Sequence, residues 1–254
     1  LVDRIVSGYP GDQKAEDLAQ YQDRLLVCGE PFGLWVIECP CPERLEREFP
    51  LRRAGAPVLL TQDLEAYRVR KVRVLNGAHT GFSLAALEAG LSSVDECICD
   101  PDFLPFLKRL VFDEAVPTVP LNQKETTAFA EQVMERFQNP YLYHRLSSIA
   151  VNSVSKWKER LLPTLKDFAE RNKRLPPCIC FSLAALIWFY LDPAQSPQDS
   201  QDVLDFFRHC RQLDRVELVR SVLQNQALWG EDLSKLPGLE ELTARNLGRI
   251  REQG

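Results

Sequence analysis

The sequence predicts a mainly α protein, a multi-helix domain with a few short strands near its N-terminus. Three observations carry that reading. From Asp63 almost to the end, segments of good helix formers with helical periodicity follow one another with few breaks. Ahead of Asp63 the apolar runs are short and bounded by Gly and Pro. Apolar residues at 45% and charged residues at 26% of 254 positions are ordinary globular chemistry, with chain enough for one substantial core.

Residues 24–28 and 34–37 read as short strands, the second stopped by Cys39-Pro40-Cys41-Pro42, with Trp35 expected in the core; residues 58–61 read as a third. Helices are predicted over 63–90, 101–112, 123–137, 140–171, 178–191, 199–209, 214–226 and 238–250. Asp100-Pro101 and Asn139-Pro140 each place a capping side chain before a proline at the first helical position. Pro176-Pro177 fixes the start of the longest apolar run, residues 178–191. A membrane-spanning helix needs about 20 apolar residues, so this shorter run is a buried core helix. The loop 192–200 divides a main unit, 1–192, from 193–254, a terminal helical subdomain or an extension of the same domain. Residues 251–254 read as a frayed polar tail.

A net charge of −5 argues against a nucleic-acid-binding surface, which is normally basic. The eight cysteines include three pairs with one residue between: Cys39/Cys41, Cys97/Cys99 and Cys178/Cys180. Structural zinc sites use wider spacings, and such close neighbours do not readily bridge to each other. The pairs are either buried, reduced thiols or, taken two at a time, a shared zinc site.

The chemistry-bearing stretch is Lys71-Val-Arg-Val-Leu-Asn76-Gly-Ala-His79-Thr80. At roughly 100° per residue, Asn76 lies about 140° and His79 about 80° around a helix from Lys71, so all three fit one broad face. An amine can move a proton, while an amide and an imidazole can hold an oxygen whose charge is changing. A solvated polar face is the alternative. Two features weigh against it: only three histidines occur in the chain, and Gly77 inside the pattern costs a helix roughly 1 kcal/mol relative to Ala. That glycine suggests close approach by a ligand, another backbone or a packed helix.

Lys71-x4-Asn76-x2-His79 resembles the active-site motif of the polyol-specific long-chain dehydrogenases, the mannitol dehydrogenase family. Val2-Asp3-Arg4-Ile5-Val6-Ser7-Gly8-Tyr9-Pro10 is similar to the family's interdomain segment, and Gly29-Glu30-Pro31-Phe32-Gly33-Leu34-Trp35-Val36-Ile37-Glu38 to a strand of its uronate-specific branch. Residues 75–80 and 146–156 point to the same branch, that of tagaturonate reductase (altronate oxidoreductase). The resemblance covers residues 1 to 190 well and the last sixty loosely.

The resemblance implies an NAD-dependent oxidoreductase acting on a small-molecule sugar acid in the cytoplasm, with no nucleic-acid or membrane partner. Its enzymes bind NAD through an N-terminal Rossmann domain, whose glycine-rich turn cradles the pyrophosphate. This chain contains no G-x-G-x-x-G and begins at Leu1, so it reads as the C-terminal, substrate-binding half, with that Rossmann domain as its partner and little activity of its own. Lys71 would be the general acid–base; burial and the neighbours Arg70, Arg73 and Lys156 would lower a lysine from its free value of about 10.4. Asn76 would donate to the oxygen that gains charge, worth about 3 kcal/mol for one such donor. His79 would orient the substrate.

Asp3, Glu38 and Lys156 are the implied substrate-binding residues. The alternative for Asp3 is a salt bridge with Arg4 or another cation, and for Lys156 an exposed helix position. Lys71, Lys156 and Arg145 are available to an anionic substrate. Polyol-acting members carry an arginine about eight residues before the lysine at 156, where this chain has Ser148, which leaves the carboxylate-binding residue unassigned. Fructuronate or mannitol oxidoreduction is the runner-up within the family; a non-catalytic helical binding domain is the reading from another class.

Overall fold

The computed structural model describes residues 1–9, 23 and 25–253. Strand β1 (Val2–Asp3) pairs antiparallel with β4 (Leu34–Glu38), and β4 pairs in parallel with β5 (Val58–Thr61). Strands β2 (Val6–Gly8) and β3 (Cys28–Gly29) form a separate antiparallel ribbon. A parallel pair needs a crossover. Helix α1 (Pro42–Glu48) lies on that crossover, an element absent from the sequence reading although Pro42 opens it. The strand predicted over 24–28 contracts to Cys28–Gly29, since β2 offers only three residues to pair; its Arg24 lies outside the described residues. Trp35 also departs from expectation. Side chains alternate along a strand, so Val36 turns inward at 1% exposure and Trp35 outward at 46%.

From Glu65 the chain is helical. One rod runs through α2 (Glu65–Arg70), a π-helical stretch (Lys71–Asn76) and α3 (Gly77–Glu88). Helix α4 (Val94–Cys99) follows, with Ser93 and Glu96 forming a capping box that the sequence carries openly and the prediction missed. Helix α5 (Leu104–Lys108) continues through a second π stretch (Arg109–Ala115) into a tight turn, and α6 (Gln123–Phe137) begins where Asn122 Oδ1 accepts from Lys124 N and Glu125 N. Asp100 caps the turn that leads to α5, accepting from the backbone N–H groups of Asp102 and Phe103.

The single helix predicted over 140–171 is three: α7 (Leu146–Ile149), α8 (Ser153–Arg160) and α9 (Leu162–Asn172). Asn152 at φ 54° breaks the first join, a left-handed conformation that asparagine tolerates. Pro163 sits in the first turn of α9, where a missing N–H is harmless. Asn139 starts no helix; its Oδ1 accepts from Tyr141 N at 3.0 Å, closing a turn. Beyond these lie α10 (Pro177–Leu191), α11 (Gln201–Cys210), α12 (Arg215–Gln224), α13 (Gln226–Trp229) and α14 (Leu239–Gln253).

Helix α10 is apolar on nearly every side and is buried accordingly, between α3 and α14. It has no side-chain cap of its own. Glu114, from the second π stretch, supplies one: its two carboxylate oxygens accept from Cys178 N at 2.7 Å and Ile179 N at 2.9 Å. A negative charge there also meets the positive end of the helix dipole. Trp157 of α8 donates to Ser182 of α10 at 3.0 Å and packs edge-on against Trp229. Phe207, Leu218, Leu223 and Leu247 join Leu183 and Leu186 in one hydrophobic cluster. Among the described residues no helix is long and apolar enough to cross a membrane, and no group of three His, Cys, Asp or Glu is placed to hold a metal ion. All eight cysteines are free thiols, with burial pushing Cys97 up to about 12.

Candidate active site

The π stretch sets the geometry. The backbone N–H of Gly77 bonds to the carbonyl of Val72, five residues back instead of four. A wider turn rotates less per residue and brings positions five apart close to one line. Lys71 and Asn76 are five apart, so they lie nearer in direction than regular-helix arithmetic gave. Both are half-buried, and neither side chain makes a hydrogen bond or ion pair among the described residues. Gly77 answers to another backbone: a Cβ there would meet Leu161 Cδ2 at 3.5 Å and the Arg160 carbonyl at 3.6 Å. Its bareness seats the end of α8 against the rod.

Three residues on, His79 is 5% exposed. Its ring lies 4.4 Å from Phe137, 5.9 Å from Phe82 and, edge-on, 5.0 Å from His144. Its Nε2 is buried with no partner among the described residues. Burial first, then His144 and the charges of Arg160, Arg136 and Lys71, hold the imidazole well below its ordinary value. It is therefore neutral at pH 7 and offers one donor and one acceptor. Lys71 is thus within electrostatic reach of His79, on the same stretch of rod.

A depressed histidine has a definite sign in stability. The unfolded chain takes up the proton near pH 6.5, before the folded one does. The contribution is intact above that pH and lost as pH falls below it. His79→Asn is expected to flatten the stability profile between pH 7 and 5, by up to about 1.4 kcal/mol per pH unit. Urea unfolding at several pH values measures this; equal slopes in the two proteins would contradict a buried neutral ring.

Lys156 is half-buried on α8, and its Nζ donates to the Ile149 carbonyl at 2.9 Å. Burial and then Arg160 lower it, and its own charge in turn lowers His144. The structure thus gathers Lys71, His79 and Lys156 around one region. Asp3 is placed behind it, 2% exposed and bonded to Arg136 at 2.9 Å. Arg136 also takes both oxygens of Glu30, at 2.7 and 3.0 Å, and lies over the Phe32 ring; Glu30 in turn accepts from Ile5 N at 2.5 Å. Glu38 stands apart. It is exposed and accepts from Leu64 N at 3.1 Å, at the start of the rod, seven residues and roughly 10 Å of helix before Lys71. Arg145 is exposed over the Tyr143 ring, and Arg73 is paired with Asp167 at 2.6 Å.

Sequence reasoning missed Arg136, His144, Arg160 and Glu30. His144 carried a signal, since the scarcity that singled out His79 applies to it equally. Arg136 carried another: it falls on the buried stripe of α6 with Phe129, Val133 and Phe137.

A neutral imidazole, an amide and an ammonium along one helical rod, backed by further cations, form a site for an oxygen-bearing polar molecule on a helical scaffold. Residues 63–251 match the family model of the mannitol dehydrogenase C-terminal domain, and the chain belongs to that family. The altronate oxidoreductase of Bacillus subtilis (strain 168) is 42% identical over 100% of this chain and 53% of its own length. That of Klebsiella pneumoniae (strain 342) is 39% identical over 100% of this chain and 55% of its own. The chain therefore spans about half the length of the curated relatives it matches. Among solved structures, Pseudomonas fluorescens mannitol 2-dehydrogenase, in a ternary complex with NAD and D-mannitol, aligns with a TM-score of 0.82 at 20% identity, covering 100% of this chain and 51% of that one. A substrate-free D-sorbitol dehydrogenase aligns at 0.75 and 23% identity, covering 100% and 52%. These two share the fold.

Proposed function

We propose that this chain is the substrate-binding and catalytic half of an NAD-dependent oxidoreductase interconverting a keto sugar acid and its alcohol, tagaturonate and altronate. The observation that carries this is the Lys71 ammonium, without an ion-pair partner among the described residues, beside a buried imidazole held neutral. The names of the relatives support the substrate, and their greater length supports an N-terminal Rossmann domain as partner. The outward-facing pair Val2 and Trp35, opposite each other across β1 and β4, gives such a partner an apolar place to rest.

The nicotinamide of NAD, when bound, supplies or accepts the hydride. The glycine-rich cradle it needs is absent from this sequence, whereas the donor set at the reacting end fits a carbinol oxygen. Lys71 gives the carbonyl oxygen its proton in reduction and removes it in oxidation. The Asn76 amide donates to that oxygen as its charge grows. His79, neutral, bonds a substrate hydroxyl or the same oxygen and fixes its direction. Lys156 lies where it can hold a further hydroxyl, and Asp3 acts through Arg136, which it holds in place. Residues 193–254 read as an extension of the same domain, given the shared cluster. Eight free thiols suit the cytoplasm.

NADH oxidation by the full-length polypeptide, assayed side by side with tagaturonate, fructuronate and fructose, tests the reading. Tagaturonate is expected to give the highest kcat/KM. Preference for fructuronate or fructose would move the assignment to the runner-up, and no oxidation with any of them would overturn it.

A further inference from the structure

We propose that Arg160, with Lys156 beside it, binds the carboxylate of the sugar acid and so makes the site selective for an anion; this rests on the reading that Lys71 and His79 work at the carbinol oxygen. Arg160 ends α8, where the bare backbone of Gly77 lets that helix lie directly against the π stretch. Its Nη1 donates to Thr80 Oγ1 at 3.0 Å, and Thr80 follows His79 in the chain. The guanidinium is thus anchored one residue from the imidazole. Among the cations acting on that imidazole it is the strongest, ahead of Arg136 and Lys71.

What sets Arg160 apart is its uncompensated charge. Arg136 is matched by two carboxylates and Arg73 by one. Arg160 is half-buried and has no ion pair among the described residues; the only carboxylate whose charge acts on it is its helix neighbour Glu159, which is exposed. One of its five N–H donors is used by Thr80. A guanidinium withdrawn from water needs a partner, and its fork matches a carboxylate with two parallel bonds. Lys156 lies four residues earlier and so on the same face of α8. Its ammonium spends one donor on the Ile149 carbonyl and has two more. The only carboxylate acting on it is Asp199, which already accepts from the Tyr190 hydroxyl at 2.5 Å. Two cations on one helix face, both directed at the histidine pair and both short of an anion, define a carboxylate subsite. Arg145, exposed over Tyr143, is not part of it.

The experiment is a ratio, measured in the full-length polypeptide with NADH. The numerator is kcat/KM for the keto sugar acid and the denominator kcat/KM for the neutral ketose of the same carbon skeleton. Arg160→Met is expected to lower the ratio roughly hundredfold, mainly through KM for the acid, and Arg160→Lys and Lys156→Met roughly tenfold each. A ratio that stays within about threefold in all three variants overturns the proposal, even if both activities fall together, because a merely structural arginine weakens both substrates alike. Should Arg160→Met fail to fold, the two milder variants decide alone. A wild-type protein active on the neutral ketose and inactive on every keto acid would defeat the functional reading itself, and this proposal with it.

Discussion

Lys71→Ala is expected to lower kcat of the full-length polypeptide by at least about a hundredfold, the lower end for a general acid–base. The fold should survive the change. Lys71 is half-buried and makes no ion pair among the described residues, so its loss strands no buried carboxylate. Val74 and Leu75, which pack the rod into the core, are untouched. The check is kcat at saturating substrate and NADH, with circular dichroism and thermal midpoint alongside. A hundredfold loss in a folded variant supports proton transfer by this ammonium. Unchanged turnover would leave only the reading of a helical binding domain that carries a cleft without using it.

Arg136→Met is expected to have the largest effect on stability, a loss of about 3–5 kcal/mol. Asp3 and Glu30 are 2% and 3% exposed, and Arg136 is the cation bonded to both. Removing it leaves two buried carboxylates facing each other, which is far costlier than deleting the whole triad would be. At 2–4 °C per kcal/mol for a chain of this size, the thermal midpoint should fall by roughly 10 °C. Glu30 also holds Ile5 N, so the loss should spread to the N-terminal strands. A midpoint shift below about 3 °C would mean that water reaches these carboxylates and that the triad is not sealed. Activity should fall as well, since Arg136 lies among the charges acting on His79.

What local sequence could reveal, it revealed well. The apolar run after Pro176-Pro177 is helix α10, and α6 runs over Gln123–Phe137 as its periodicity and the Asn122 cap indicate. The long helix over 140–171 failed because good helix formers surround two points decided otherwise: Asn152 turns left-handed and Pro163 restarts the chain. Trp35 was misplaced because alternation fixes two faces without saying which is inner. The site was half legible. Lys71, Asn76 and His79 share a short stretch, whereas Arg136 reaches Asp3 across 133 residues and Arg160 reaches Thr80 across 80, so no local pattern ties them. The wide turn at 71–76 was invisible for a related reason. Five-back bonding is sustained there by α8 pressing on Gly77, a contact that exists only after folding.

That wide turn gives the rod one residue more than a regular helix of its height would hold. Excise any one residue between Lys71 and Asn76 and the backbone could relax to the ordinary spiral, swinging everything after it by about 100°. His79 would leave Phe137 and His144, and Thr80 would let go of Arg160. Descent through this family is therefore constrained in length as much as in spelling: letters along the rod are negotiable, while single-letter gaps are not.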